Sequence, residues 1–212
     1  MIRYKTVKKE GVAEQIIEKS RFIAYVKPVS SKEDADDFIA AIRLKHRDAT
    51  HNVPAMVIGD KMQVQWASDD GEPQGTSGAP MVQMLTKEGI TNVVVVVTRY
   101  FGGIKLGTGG LVRAYTGSAK LGLAAAGICA VKEMHVFNVK IAYSYLQKIQ
   151  NLAQNGEFEI NNIIYEDLVT VRIVTEPEFM IETKNMIVDM SSGAALIFDE
   201  GSELVQVDVT SG

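Results

Sequence analysis

The residues best suited to chemistry fall in one stretch of the chain. Arg99, Lys105 and Arg113 surround the glycine-rich run Gly102-Gly103-Ile104-Lys105-Leu106-Gly107-Thr108-Gly109-Gly110, and the rings of Tyr100 and Phe101 stand just before it. A glycine-rich loop entering a helix leaves backbone N–H groups uncovered at the positive end of the helix dipole, which makes a cradle for anions. Positive side chains beside such a cradle suit phosphate, and adjacent aromatic rings suit stacking on bases. Neighbours on an extended segment point oppositely, so one of the two rings should be buried and the other exposed. The candidate ligand site is therefore Arg99, Tyr100, Phe101, Gly102, Gly103, Lys105, Gly107, Gly109, Gly110 and Arg113.

A second candidate is the acidic trio Asp69, Asp70 and Glu72 in the polar loop DDGEPQGTSG. Three carboxylates this close could hold Mg²⁺ or divide acid and base roles. Equally, aspartates in such a turn bond their own backbone, and the trio could pair with Arg99 and Arg113 while the glycines serve tight turns. Complete enzyme signatures are missing. The run from Gly102 to Thr108 spaces two glycines as a P-loop does, but no lysine follows the second. Gly107-Thr108-Gly109 starts a dinucleotide fingerprint, and Val112 stands where its third glycine belongs. Gly75-Thr76-Ser77-Gly78-Ala79 lacks the last glycine of a nucleophile elbow. His46 and His51 do not have the i, i+4 spacing of a helical zinc pair, and Cys129 supplies no third ligand. No catalytic residue, metal or cofactor is assigned.

The elements that must position these residues follow from periodicity. Strands are expected at 2–8 and within 12–28, then a helix opened by a Ser30/Glu33 capping box, with Ala35, Phe38, Ile39 and Ile42 on its inner stripe. A hairpin follows at 55–59 and 62–68, its second arm half-buried through Met62, Val64 and Trp66. A short helix at 79–87, a buried strand at 93–98 and a helix at 111–126 frame the two candidate sites. Twelve of the 18 glycines lie between Gly71 and Gly127, and Gly117 and Gly122 inside the last helix demand a packing reason. Beyond residue 135 the pattern resets to β-α-β-β-α-β: strand 135–142, helix 144–154 stopped by Asn155-Gly156, strands 158–166 and 168–174, a helix opened by a Thr175/Glu178 box and reaching 190, and strands 194–198 and 204–209. The expected domains are 1–134 and 135–212.

Charge divides the same way. Residues 1–135 carry 18 Lys+Arg against 14 Asp+Glu, residues 136–212 carry 4 against 12, and the whole chain is at −4. Such a split suits two domains with different partners, or a small acidic domain that keeps the molecule soluble. No apolar run approaches a bilayer-spanning length, the first eleven residues lack a secretory core, and one cysteine fits a reducing compartment. A cytoplasmic protein with no membrane association is expected.

The segments KSRFIA (19–24), ATHNVPAMVIG (49–59), SDDGEPQGTSGAP (68–80) and TRYFGGIKLGTGGLVRAY (98–115) resemble the IMPACT/YigZ family. The resemblance implies an α+β fold. Its N-terminal domain would be a βαβ sandwich like the second domain of ribosomal protein S-five, and its C-terminal domain ferredoxin-like, as in domain V of elongation factor G. Family members often have Cys and Tyr where this chain has Val53 and Met56, which weighs against a role for a cysteine there. Eukaryotic relatives act in translational control by binding the activator of an initiation-factor kinase. The expectation is a non-enzymatic binding or regulatory protein of translation, contacting RNA, the ribosome or a phosphate-bearing ligand through residues 99–113. The alternatives are an enzyme acting on a phosphorylated small molecule through Asp69, Asp70 or Glu72, and a regulator that binds only protein.

Overall fold

The computed structural model describes residues 2–156 and 158–209. The chain forms two compact units, one of Arg3–Val131 with the stretch from Gln206 onward, the other of Lys132–Val205 with Ile2. Both mix helices with antiparallel strands, an α+β architecture.

The first unit runs β1 (Ile2–Val7), β2 (Gly11–Ile17), β3 (Ser20–Pro28), α1 (Lys32–Lys45), β4 (His51–Ile58), β5 (Val64–Ala67), α2 (Gly78–Glu88), β6 (Val93–Tyr100) and α3 (Gly107–Ala126). Its main sheet has the order β2-β3-β6-β4-β5 and is antiparallel throughout. Val94 and Val96 of β6 pack with Ile39 and Ile42 of α1, whereas Val93, Val95 and Val97 pack with Met81 of α2 and Leu111, Tyr115 and Leu123 of α3. Helices cover both faces, so the central strand reads as an unbroken valine run instead of alternating. Gly122 lets α3 reach the sheet. A Cβ there would stand 2.8 Å from Val26 Cγ2 and 3.0 Å from Ala24 Cβ, whereas at Gly117 the nearest atom is Gln15 Nε2 at 3.7 Å.

Three local expectations for this unit are corrected. Helix α1 is capped by Ser31, whose Oγ accepts from Asp34 N–H at 3.1 Å, because the sequence offers two overlapping boxes and the chain uses the later one. The arm β5 is not half-buried: Val64 and Trp66 are 37% and 40% exposed on an edge strand. Helix α3 starts at Gly107, one turn before the expected residue 111, its first turn hidden by three glycines of low helix propensity.

The second unit consists of β7 (Ile128–Ile141) from Lys132 on, α4 (Tyr143–Gln154), β8 (Glu159–Tyr165), β9 (Val169–Thr175), α5 (Met180–Met190) and β10 (Leu196–Asp208) up to Val205. Strand β7 pairs with β9, β9 with β8, and β10 with β7. That is the split βαβ, ferredoxin-like arrangement. Phe137, Val139, Ile149, Val171, Ile173 and Ile187 form its core. The Thr175/Glu178 box does not form, since Pro177–Phe179 makes a 3₁₀ turn and α5 opens after it; the Thr175 hydroxyl lies instead 3.4 Å from that of Thr183. The two last expected strands are one, with Gly201 at φ +88° inside it. No helix among the described residues is long and apolar enough to cross a membrane.

Candidate anion-binding cleft

Alternation along β6 decides where its last side chains go. Arg99 shares the α3-facing side with Val93, Val95 and Val97, and Tyr100 falls on the α1 side. There the Tyr100 hydroxyl lies 2.8 Å from Nδ1 of His46, whose Nε2 is 2.6 Å from the Tyr25 hydroxyl. Burial, then Lys45 and Arg21, lower the pKa of His46, which favours a neutral ring between the two phenols. Tyr100 is therefore a structural partner of α1, away from the glycine-rich run.

Arg99 is 4% exposed, its guanidinium between the rings of Phe22 and Phe101 at 5.4 and 5.3 Å from their centroids. Its Nη1 donates to Glu72 Oε1 at 2.6 Å and its Nη2 to Ser20 Oγ at 3.3 Å, while Nε is sealed from solvent without a partner. Ser20 Oγ also accepts from the N–H of Gly102 at 3.1 Å. Residue 102 must be glycine for the β2–β3 turn to seat there, because a Cβ would stand 2.0 Å from the Lys19 carbonyl oxygen.

Glu72 receives a second bond on Oε1, from the Tyr115 hydroxyl at 2.7 Å. Burial first, and then this bond, push the Tyr115 pKa far up, so the phenol stays a donor. The Oε2 of Glu72 has no hydrogen-bond partner among the described residues, and it is not one of the side-chain atoms sealed from solvent. His51 stands directly opposite Arg99 in the β4–β6 ladder. Its Nδ1 is 2.7 Å from the Asp70 carbonyl oxygen and so carries a proton; in that tautomer Nε2, 3.7 Å from Glu72 Oε1, is the acceptor of the ring.

Arg99, Glu72 and His51 face a cleft of about 430 Å³. Thr50, His51, Glu72, Pro73 and Arg99 line one part, and Phe101, Lys105, Leu106, Gly107, Thr108 and Leu111 the rest. The wall at Gly107 and Thr108 is the first turn of α3, whose N-cap Leu106 offers no side-chain cap. Its N–H groups and the positive dipole end are available to a ligand. Phe101 is 46% exposed at the rim.

Of the residues singled out in the sequence, Arg99, Phe101, Lys105, Gly107 and Glu72 come together here. Gly102 supports the loop from behind, and Gly109 lies in the first turn of α3. Arg113 and Gly110 line a different depression with Gln15, Glu18 and Ile104, which Lys105 also reaches. Gly103 holds the loop at φ +88°. Asp69 is a structural clamp. Its Oδ1 accepts from Ser77 N–H, Ser77 hydroxyl and Gly78 N–H, and its Oδ2 from Gly75 N–H. Burial raises its pKa, but the Ser77 hydroxyl and these N–H groups outweigh it and hold the carboxyl below its ordinary value. Asp70 bonds Asn52 N–H at 2.6 Å and Arg43 at 3.1 Å. No group of His, Cys, Asp and Glu among the described residues could hold a metal ion. Tyr115, Ser20 and Thr50 enter the site without having been singled out, and His51, weighed in the sequence only as a zinc ligand, comes in through the strand register that sets it against Arg99.

Fold and cleft together define a two-unit α+β protein with a ligand-sized hollow at the uncapped start of a helix. The Impact N-terminal domain family model matches residues 18–123, and the chain belongs to the IMPACT family. It is 42% identical over 197 residues to IMPACT family member YvyE of Bacillus subtilis, covering 90% of this chain and 91% of that one. IMPACT family member YigZ of Escherichia coli is 35% identical, covering 84% and 88%. A solved structure described as the crystal structure of a hypothetical protein aligns over 99% of this chain and 98% of its own, at 30% identity and a TM-score of 0.57.

Proposed function

We propose that this protein is a non-enzymatic binding protein linked to translation, and that the cleft takes a phosphate-bearing ligand, single-stranded RNA in its working form. The observation that carries the reading is the uncapped first turn of α3 opening into a 430 Å³ cleft beside Lys105 and the exposed ring of Phe101. Backbone N–H groups and a lysine suit a phosphate, and an exposed ring suits a base. Binding is favoured over catalysis because Asp69 and Asp70 are occupied in holding their loop, and Glu72 is tied to Arg99 and Tyr115.

The test is filter binding of the whole chain to single-stranded RNA from low to physiological salt. Contact with about one or two phosphates, through Lys105 and the start of α3, gives log K a slope of roughly −1 against log salt, and Lys105→Ala should remove most of that slope. No affinity for RNA at low salt would overturn the reading.

A further inference from the structure

The inner wall of the cleft differs from its rim. At the rim, Lys105 and the N–H groups of the first turn of α3 donate. Inside, the Tyr115 hydroxyl is bonded to Glu72, one N–H on each Nη of Arg99 is committed to Glu72 or Ser20, and Arg99 Nε is sealed off. Beside them stand two acceptors with no hydrogen-bond partner among the described residues, Glu72 Oε2 and His51 Nε2. The Glu72 side chain is only 4% exposed. Its Oε2 is open to the cleft and unpartnered among the described residues, so a ligand N–H can take the place of water on it. Pro73, Phe101, Leu106 and Leu111 make the remaining walls apolar, which suits a flat ring.

Resting on the phosphate-binding reading above, we propose that this cleft selects guanine, in a guanosine phosphate, with Glu72 Oε2 and His51 Nε2 accepting from the N1–H and 2-amino groups of the base. Guanine is the common base that presents two adjacent N–H donor groups on one edge. Adenine and cytosine place a ring-nitrogen acceptor beside their amino group, and uracil sets one N–H between two carbonyls. Each of those would put an acceptor against an acceptor, which is discrimination by repulsion as well as by lost bonds. The phosphate then lies at the rim, on the start of α3 and Lys105. Arg99 acts as a positioning residue: by occupying Oε1 it turns Oε2 toward the ligand.

The experiment is equilibrium binding of the whole chain, at low salt, to guanosine, inosine and adenosine 5′-monophosphates, to ribose 5-phosphate, and to an oligouridine with or without one central guanosine. Inosine differs from guanosine only by the missing 2-amino group, so guanosine monophosphate should bind at least roughly tenfold tighter than inosine monophosphate. If free nucleotides show the preference, the source is a mononucleotide; if only the oligomers show it, the source is guanosine within RNA. In Glu72→Gln the amide must keep its carbonyl toward Arg99 and Tyr115 and turns its NH₂ to the cleft. The guanosine advantage should then fall to within about twofold while Lys105-dependent phosphate binding persists. Because this variant strips the buried Arg99 of its counter-charge, its fold is checked by circular dichroism, and the guanosine–inosine comparison on the unaltered chain stands without it. Salt-dependent binding with guanosine, inosine and uridine ligands equal would overturn the base selection and leave the phosphate reading standing. No binding by any of them would overturn both.

Discussion

Asp69→Ala tests whether the acidic loop is scaffold or chemistry. The carboxylate accepts four hydrogen bonds, at 2.6, 2.9 and 3.2 Å on Oδ1 and 2.7 Å on Oδ2. Two of the donors, Ser77 and Gly78 N–H, belong to the start of α2, where Ser77 makes no cap of its own. Loss of a helix cap alone costs about 0.5–2 kcal/mol, and four bonds to an ionised group at ~1.5 kcal/mol each would total about 6 kcal/mol. Water can enter this half-buried loop and recover part of that, so the expected loss is about 3 kcal/mol, a fall in Tm of roughly 6–12 °C. Asp69→Asn keeps one oxygen for the three Oδ1 donors and turns an NH₂ toward Gly75 N–H, so its loss should be about half as large. Urea unfolding followed by the fluorescence of Trp66, the chain's single tryptophan and a neighbour of Asp69 in the β5 hollow, reads both. The sign with pH is fixed. The carboxyl is held below its ordinary value of 3.8 in the folded state, so its contribution is complete above that value and is lost as pH falls through the folded pKa. The gap between wild type and Asp69→Ala should therefore close in acid. A loss under about 0.5 kcal/mol, or a gap unchanged at low pH, would refute the clamp and return Asp69 to the pool of chemically free carboxylates.

The two glycines inside α3 should respond with opposite signs. Gly122→Ala forces a methyl to within 2.8 Å of Val26 and should destabilise the unit by about 1 kcal/mol net, whereas Gly117→Ala meets only Gln15 at 3.7 Å and should stabilise it by up to about 1 kcal/mol in the same urea assay. His46, followed by its ring-proton NMR signals, should titrate with a midpoint below 6.5. Because the unfolded state then binds the proton more readily, stability should fall as pH drops from 6.5 toward that midpoint, and His46→Gln should lose this slope.

How far the sequence reaches depends on whether a signal is local. The valine run of β6 announces a strand buried on both faces because alternation vanishes only when both sides are covered. The arm Met62–Val64–Trp66 alternates just as a half-buried strand would, and only the sheet order shows that β5 is an edge. Two serines with acids three residues on make the start of α1 ambiguous by one position. In the cleft, the glycine-rich helix start and Lys105 are legible in the sequence, and the structure sets both on one hollow. The splitting of Tyr100 from Phe101 follows from strand parity, although its direction depends on which helix covers which face. The parts that give the cavity its inner chemistry are long-range. Glu72 meets Arg99 across 27 residues and Tyr115 across 43, and His51 faces Arg99 through sheet register alone.

The Arg99–Glu72 pair also changes what the basic loop can do. A buried ion pair is weak evidence for stability, since its attraction is offset by the desolvation of both charges, but breaking one partner away is severe. Arg99 is a poor contact for a phosphate, because Glu72 balances its charge, Glu72 and Ser20 each take an Nη–H, and Phe22 and Phe101 flank the guanidinium. The attraction for an anion must come from Lys105 and the dipole of α3, and Arg113, lining another depression, adds little to it. One lysine and one helix end give modest, salt-sensitive affinity. Discrimination then has to come from shape and from the acceptors that the ion pair holds in place. The charge that the sequence offers as a contact is thus spent on orienting a carboxylate, and in the guanine-binding proposal the carboxylate, not the arginine, meets the ligand.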